Sequence, residues 1–492
     1  MKYAYLVSLF WALFSCKSEN KNWQIHLPDV TSSSSPKACD LNGDGILDIV
    51  MGAGGDEWKE TERGIIAIDG GSGELLWAAP ARNQIVGSAI FLDINLDGTK
   101  DVIIGGRTAE LRALDGKSGE LIWEFYHKKG SMNARDDGWY NFYNAQLIKD
   151  QDNDELHDIL ICNGGDAVIP SGMKYRPAGK LMIISSQNGK ILAEDLMPDG
   201  QETYFSPLII DENTENPQLI FGTGGETRPG HLYLCNLKDL LEKNLKNAKI
   251  LDSTLAKGYE APPVLAHFND DKFMDLVVNT AEGSTKLIDG KTHEILWMVK
   301  EDSSEVFSQP AVGLFTGNDK TPDVFVQYAK GKYPDYKSTS QLLIDGKTGK
   351  IVNRYLGKRF TFSSPVVADI DQDKIDEVIL NTVEDSLIGS KTKPFFELRV
   401  FNFKTNEISF LGDRKSGACF ASTPWLGDLD NDGLLDIVYS GSPATRSEFP
   451  GLSVFEKPPV YLSIFRIENP EIPSKVVKWG SYMNHNSRSI LE

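Results

Sequence analysis

Asp40-Leu41-Asn42-Gly43-Asp44-Gly45-Ile46-Leu47-Asp48, running into Ile49-Val50-Met51, is the segment from which the architecture of this 492-residue chain can be read. It places acidic or amide side chains at positions 1, 3 and 5 of a nonapeptide and a carboxylate at position 9. Four more copies follow: Asp93-Ile94-Asn95-Leu96-Asp97-Gly98-Thr99-Lys100-Asp101, Asp150-Gln151-Asp152-Asn153-Asp154-Glu155-Leu156-His157-Asp158, Asp369-Ile370-Asp371-Gln372-Asp373-Lys374-Ile375-Asp376-Glu377 and Asp428-Leu429-Asp430-Asn431-Asp432-Gly433-Leu434-Leu435-Asp436. Hard oxygens on alternate residues of a tight loop suit Ca2+, which takes six to eight oxygen ligands at about 2.3–2.6 Å. The position-7 residues Ile46, Thr99, Leu156, Ile375 and Leu434 can be apolar or neutral because each would offer its backbone carbonyl. A single copy would equally fit an ordinary Asx turn; five copies point to about five calcium sites.

These loops are not EF-hands, which need Glu at position 12 and flanking helices. Position 12 is Met51 in the first copy and Tyr439 in the last. Each loop leads instead into a short β-rich run such as Val102-Ile103-Ile104 or Ile437-Val438-Tyr439, so it joins two strands. Three degenerate copies begin at Asp211, His267 and Phe315. The first has Leu219 at its last position, and the other two have lost the first carboxylate. The eight starts, 40, 93, 150, 211, 267, 315, 369 and 428, are spaced 48 to 61 residues apart. Regular spacing of that size marks an array or a propeller.

A second repeat marks the far end of each unit. Ala67-Ile68-Asp69-Gly70-Gly71-Ser72-Gly73-Glu74-Leu75-Leu76-Trp77 recurs over 113–123 and 287–297, and more loosely over 343–352. Asp-Gly followed by Ser/Thr-Gly predicts a tight hairpin. A further short strand precedes each acidic loop. Every unit then reads as four strands, A to D, with the acidic loop at A–B and Asp-Gly at C–D. The fold class is therefore all-β: an eight-bladed propeller of four-stranded antiparallel blades.

Ring closure follows from the ends. Asn22-Trp23-Gln24-Ile25-His26-Leu27 has the character of a strand D without its own A, B and C. The eighth unit supplies A near 422–426, B at 437–440 and C at 460–467. The N-terminal strand is expected to complete the last blade, with Lys475–Trp479 as the competing strand D. The acidic loops resemble the FG-GAP (VCBS-like) repeats of integrin α-subunit heads and their bacterial relatives. The Asp-Gly-x-Ser/Thr-Gly-x-x-x-Trp strands are similar to the PQQ-like repeats of quinoprotein dehydrogenases. The resemblance covers about residues 22–468, leaves 469–492 as a tail, and speaks to fold more than to function.

The net charge of −19 argues against nucleic-acid partners. The five intact loops hold eighteen candidate ligand carboxylates, and five Ca2+ would bring the charge to −9. Met1-Lys2 and the apolar stretch Tyr3–Phe14 read as a signal peptide over residues 1–15. Leu13-Phe14-Ser15-Cys16 resembles a bacterial lipobox, which implies lipidation of Cys16 and a tether over 16–21. The expectation is a monomeric, envelope-anchored lipoprotein, periplasmic or surface-exposed, with the membrane as partner through its lipid. Cys39, Cys162, Cys235 and Cys419 are distant from one another and are expected to be buried thiols.

In such a blade the A–B and C–D turns share one face, while B–C loops and D–A crossovers share the other. Calcium would then be structural. The varied segments all fall on the opposite face, where binding residues are expected. Trp58, Arg135, Asp137, Trp139, Tyr140, Arg176 and Arg228 are the candidates there for a glycan or protein ligand. Trp139 and Tyr140 could equally pack a blade junction. No nucleophile elbow, phosphate loop, dinucleotide fingerprint or HExxH helix occurs. PQQ, implied by the quinoprotein resemblance, is disfavoured because the vicinal Cys-Cys pair of that family is missing. The expected function is binding or scaffolding without a catalytic residue. The alternative is a carbohydrate-active enzyme such as a polysaccharide lyase, with Arg135 or Lys174 as base, and the third is a quinone-dependent dehydrogenase.

Overall fold

The computed structural model describes residues 21–491 apart from 56–57, 127–133, 167, 171–172, 174, 333–334, 389–390, 443–460 and 486. The leader, Cys16 and Lys174 lie outside the described residues. Strands form eight antiparallel sheets, one per blade, each running A-B-C-D outward from a central channel. Blade one is Lys37–Cys39, Asp48–Gly52, Thr61–Ile68 and Leu75–Ala81. Its B strand is buried along its whole length, whereas its D strand alternates towards solvent. B is covered on both faces by neighbouring blades, so it reads as an uninterrupted apolar run; the outer strand keeps one wet side.

The last blade closes as the sequence predicts. Its strands are Trp425–Gly427, Leu434–Gly441 and Tyr461–Pro473, and Trp23–Pro28 pairs with the last of these as strand D, Trp23 opposite Arg466. Two sets of contacts hold the blades in sequence. In the first, a strand-D Trp docks on the C–D turn of the next blade. Trp23, Trp77, Trp123 and Trp297 donate from Nε1 to the carbonyls of Gly70, Gly116, Ser186 and Gly346, at 2.6–2.8 Å. Gly73, with φ +75°, shows why the turn ends in glycine: a Cβ there would lie 2.7 Å from the Trp23 indole.

The second set is polar and runs around the channel, joining seven of the eight blade junctions. Two residues before strand A stand Ser35, Ser88, Asn144, Ser206, Pro262, Gln309, Ser364 and Thr423. Ser35 N–H donates to Ser88 Oγ, Ser88 N–H to Asn144 Oδ1 and Asn144 Nδ2 to Ser206 Oγ. Gln309 Nε2 reaches back to the Pro262 carbonyl and its N–H donates to Ser364 Oγ. Ser364 N–H donates to Thr423 Oγ1, and Thr423 N–H to Ser35 Oγ at 2.9 Å, which joins blade eight to blade one.

Lys475–Trp479, the competing candidate for strand D, lies at the other edge of a sheet. Val477–Trp479 pairs antiparallel with the inner strand of blade seven, Val366–Ala368. The chain then turns through the channel. Leu426 N–H donates to the Gly480 carbonyl, Leu265 N–H to that of Ser489, and Leu491 N–H to that of Leu265. Buried Lys37 donates from Nζ to Ser481 Oγ and to the carbonyls of Tyr482 and Asn484, at 2.7–3.1 Å. The inner strands carry free backbone edges, and the C-terminal segment satisfies part of them.

Candidate functional site

The acidic loops owe their shape to carboxylate–backbone hydrogen bonds. In the first, Asp40 accepts the N–H groups of Gly43 and Gly45, Asn42 Oδ1 that of Asp44, and Asp44 Oδ1 that of Ile46, at 2.7–3.0 Å. Asp48, fully buried, accepts Leu41 N–H on one oxygen and Gly70 N–H of the C–D turn on the other. The same position-1, -5 and -9 bonds recur in the loops at 93, 150, 369 and 428. Acidic residues at these places therefore fold the turn as well as charge it.

What these bonds leave over is suited to a cation. Asp150, Asp152 and Asp158, then Asp369, Asp371 and Glu377, and Asp428, Asp430 and Asp436 each bring one oxygen apiece within 4.8 Å of one another. Asp154 Oδ2, Asp158 Oδ1, Asp369 Oδ1 and Asp430 Oδ1 are buried without a donor. Burial raises the position-9 carboxyls, Asp48, Asp158 and Asp436 to about 6 and Glu377 to about 8. In the loops at 40 and 93, amides occupy position 3, and Asn42 and Asn95 donate to Asp69 and Asp115 of the C–D turn. The eighth loop differs. Arg466, 2 % exposed, donates from Nε to Asp436 Oδ1 at 2.9 Å and from Nη2 to Asp430 Oδ2 at 2.6 Å. Lys21 Nζ stands 2.8 and 2.7 Å from Asp430 and Asp432.

On the opposite face the sequence-predicted residues separate. Trp58 is half-buried in the B–C loop of blade one. Trp139 packs edge-on to Phe125 at 4.9 Å, with Lys180 Nζ 3.6 Å above its ring, so it serves the junction of blades two and three. Asp137 accepts the Tyr126 hydroxyl, and Tyr140 N–H donates to Asn163 Oδ1. Arg135 makes a bidentate pair with Asp166 at 2.8 and 2.7 Å, which raises its pKa and makes it a poorer base. Arg176 donates to the Asp166 carbonyl and brings Nε to 3.9 Å from Glu202.

Arg176 and Arg228 lead to a cluster at the channel mouth that sequence reasoning missed. Glu202, Glu260 and Glu305 arrive on successive D–A crossovers into blades four, five and six, and Glu226 on the B–C loop of blade four. Tyr204 donates to Glu202 Oε2 at 3.0 Å, while Lys257 and Tyr336 both donate to Glu305. The side chains of Glu226, Arg228 and Glu260 make no hydrogen bond or ion pair among the described residues. Burial raises Glu202, Glu226 and above all Glu260, whose next largest influences are the carboxylates of Glu226 and Glu202. One sequence signal was available: Glu202 and Glu305 each stand five residues before the proline that precedes strand A, Pro207 and Pro310.

Residues 62–365 match the family described as FAM234A/B beta-propeller. No curated protein sequence matches the chain. Among solved structures it is similar to a europium-containing methanol dehydrogenase (10% identity, TM-score 0.56, covering 90% of this chain and 92% of that one). It is also similar to the exotype rhamnogalacturonan lyase YesX (13%, 0.51, 90% and 72%) and to BamB from Moraxella catarrhalis (11%, 0.44, 90% and 98%). At such identities the likeness is one of fold.

Proposed function

We propose a binding function for this chain, which belongs to the FAM234A/B beta-propeller family. It acts as a calcium-stabilised, envelope-anchored propeller that holds a glycan at the channel mouth. The observation that carries this reading is the set of three half-buried charged side chains, Glu226, Arg228 and Glu260, left without partners where several blades converge. A half-buried charge without a partner is costly, and a ligand that supplies the missing bonds removes that cost.

Calcium belongs to the other face in this proposal. The donor-less oxygens of Asp154, Asp158 and Asp369 fit a hard cation, and the loops at 40, 93, 150 and 369 would hold it. In the loop at 428, Arg466 and Lys21 already face the ligand oxygens. Lipidation of Cys16 would tether the rim of blade eight to a membrane, a short step from Lys21. Lyase chemistry gains no support at Arg135, which is tied to Asp166. Quinone binding would need the channel interior, where residues 477–491 lie.

The test is a glycan array probed with calcium-loaded protein, repeated with the Glu226→Ala/Arg228→Ala double variant. Bound glycans should disappear with the double variant and appear unmodified after elution. Binding that survives it would move the site elsewhere, and unsaturated products would replace binding by lyase activity.

A further inference from the structure

We infer that the mouth is built for an amino sugar, its primary ammonium seated among Glu202, Glu226 and Glu260 and its ring oxygens facing Arg176 and Arg228. This rests on the glycan reading above and narrows it to one chemistry. Glu202 is wholly buried; one oxygen takes the Tyr204 hydroxyl and the other, Oε1, has no donor. Glu260 Oε1 likewise has none, and the Glu226 side chain makes no hydrogen bond or ion pair among the described residues. The obvious internal cations do not supply the missing donor. Lys257 donates to Glu305 and reaches Glu226 and Glu260 only through its charge, and Arg176 pairs with Glu202 at 3.9 Å, too long for a hydrogen bond.

The spacing sets the kind of cation. Among the described residues these carboxylates are not a group with oxygens within 4.8 Å of one another. One metal ion, which needs its oxygens in direct contact, cannot span them. An ammonium carried on a ring needs only two of them, its third N–H turning to a hydroxyl or water. Aromatic surface lies alongside: the Tyr143 and Tyr204 rings are 5.9 Å apart, and tyrosine faces attract organic cations. Tyr204 is fixed there by two glycines, since a Cβ at Gly165 or Gly225 would come 2.5 or 2.6 Å from its ring.

The donors show that the ligand is more than an amine. Arg176, 7 % exposed, and Arg228 each leave a buried Nε–H without an acceptor. Guanidinium groups need oxygens, which a sugar's hydroxyls provide beside the ammonium. A uronate would set its carboxylate against Glu226 and Glu260. An N-acetylated sugar would offer a neutral amide where the carboxylates lack a cation.

Titration calorimetry on the full chain with three probes tests this: a glucosamine hexasaccharide, its fully N-acetylated counterpart, and spermidine. The glucosamine oligomer should bind at least about tenfold more tightly than the N-acetylated one, and Glu226→Gln should erase that preference. Equal affinity for the two oligomers would overturn the ammonium inference while leaving glycan binding intact. Spermidine binding without either sugar would support an ammonium seat and overturn the amino-sugar inference. Failure of all three probes with folded protein would overturn the inference outright, while the glycan reading answers to the array. The comparison among probes needs no variant, so it stands even if Glu226→Gln is unstable.

Discussion

In blades one, two and five a covalent C–D turn places a glycine N–H (Gly70, Gly116, Gly290) on the last carboxylate of the acidic loop. Blade eight is assembled from both ends of the chain, so no such turn follows its strand C, and Arg466 supplies the missing donor to Asp436. The same guanidinium donates from Nη1 to the Gly70 carbonyl, which also accepts Trp23 Nε1, so one residue joins the last blade to the first. Arg466→Met should cost about 3–5 kcal/mol by leaving buried Asp436 uncompensated and Asp430 with Lys21 alone. Calcium should recover more of the melting temperature in this variant than in the parent; equal calcium shifts would count against the substitution of an arginine for a metal. Lys37 offers a second residue-level prediction. Burial pushes its ammonium down to about 7, against about 10.4 in an unfolded chain. Across that window the unfolded chain binds the extra proton, so stability at this site rises with pH, by at most about 1.4 kcal/mol per unit, and the full cost is present below about 7. The melting temperature of the parent relative to Lys37→Met should therefore climb between pH 7 and 10. A difference that stays flat would show that the three acceptors on the C-terminal segment hold Lys37 charged throughout.

Two terminal elements perform opposite tasks in closing the ring. Trp23–Pro28 covers the outer edge of Tyr461–Pro473 and docks Trp23 on Gly70 and Gly73. Deleting residues 22–28 should expose that edge and cause aggregation, because an uncovered strand pairs with other copies; size-exclusion chromatography of a soluble monomer would refute this. The C-terminal segment, from Val477–Trp479 onward, instead covers inner edges. Truncation after Pro473 should leave the ring folded and monomeric, since the outer strands and Trp docking are untouched. Amide exchange at Leu265 and Leu426 should quicken as their bonds to Ser489 and Gly480 are lost, each net bond being worth about 0.5–1.5 kcal/mol. Protection unchanged at both residues would mean that the segment follows the ring without supporting it. The sequence marked both elements as strands, because Trp23 and Trp479 stand in alternating apolar runs. It could not tell an outer edge from an inner one, since pairing at either edge asks the same of a short segment.

For the molecule as a whole, calcium should act as a ring-wide staple. Chelation should lower the melting temperature and Ca2+ should restore it better than Mg2+, with each occupied site contributing about 2.7 kcal/mol at a hundredfold excess over Kd. Terbium titration should count occupied loops at 40, 93, 150 and 369, with none at 211, 267 and 315; unchanged melting in chelator at low salt would sink the idea. The sequence by itself determined the number of blades, the strand order within each, the face that bears the acidic loops and the origin of the eighth strand D. All of these rest on short-range rules: a nine-residue loop, an Asp-Gly turn and a docked tryptophan repeat with a period that only a closed ring accommodates. The mouth cluster, the Ser/Thr belt and the occupied channel were decided by the tertiary structure. Glu202, Glu226, Glu260 and Glu305 are separated by 24, 34 and 45 residues, and no local motif is common to all four. They meet because consecutive crossovers converge on one axis, and convergence is a property of the closed ring rather than of any segment within it.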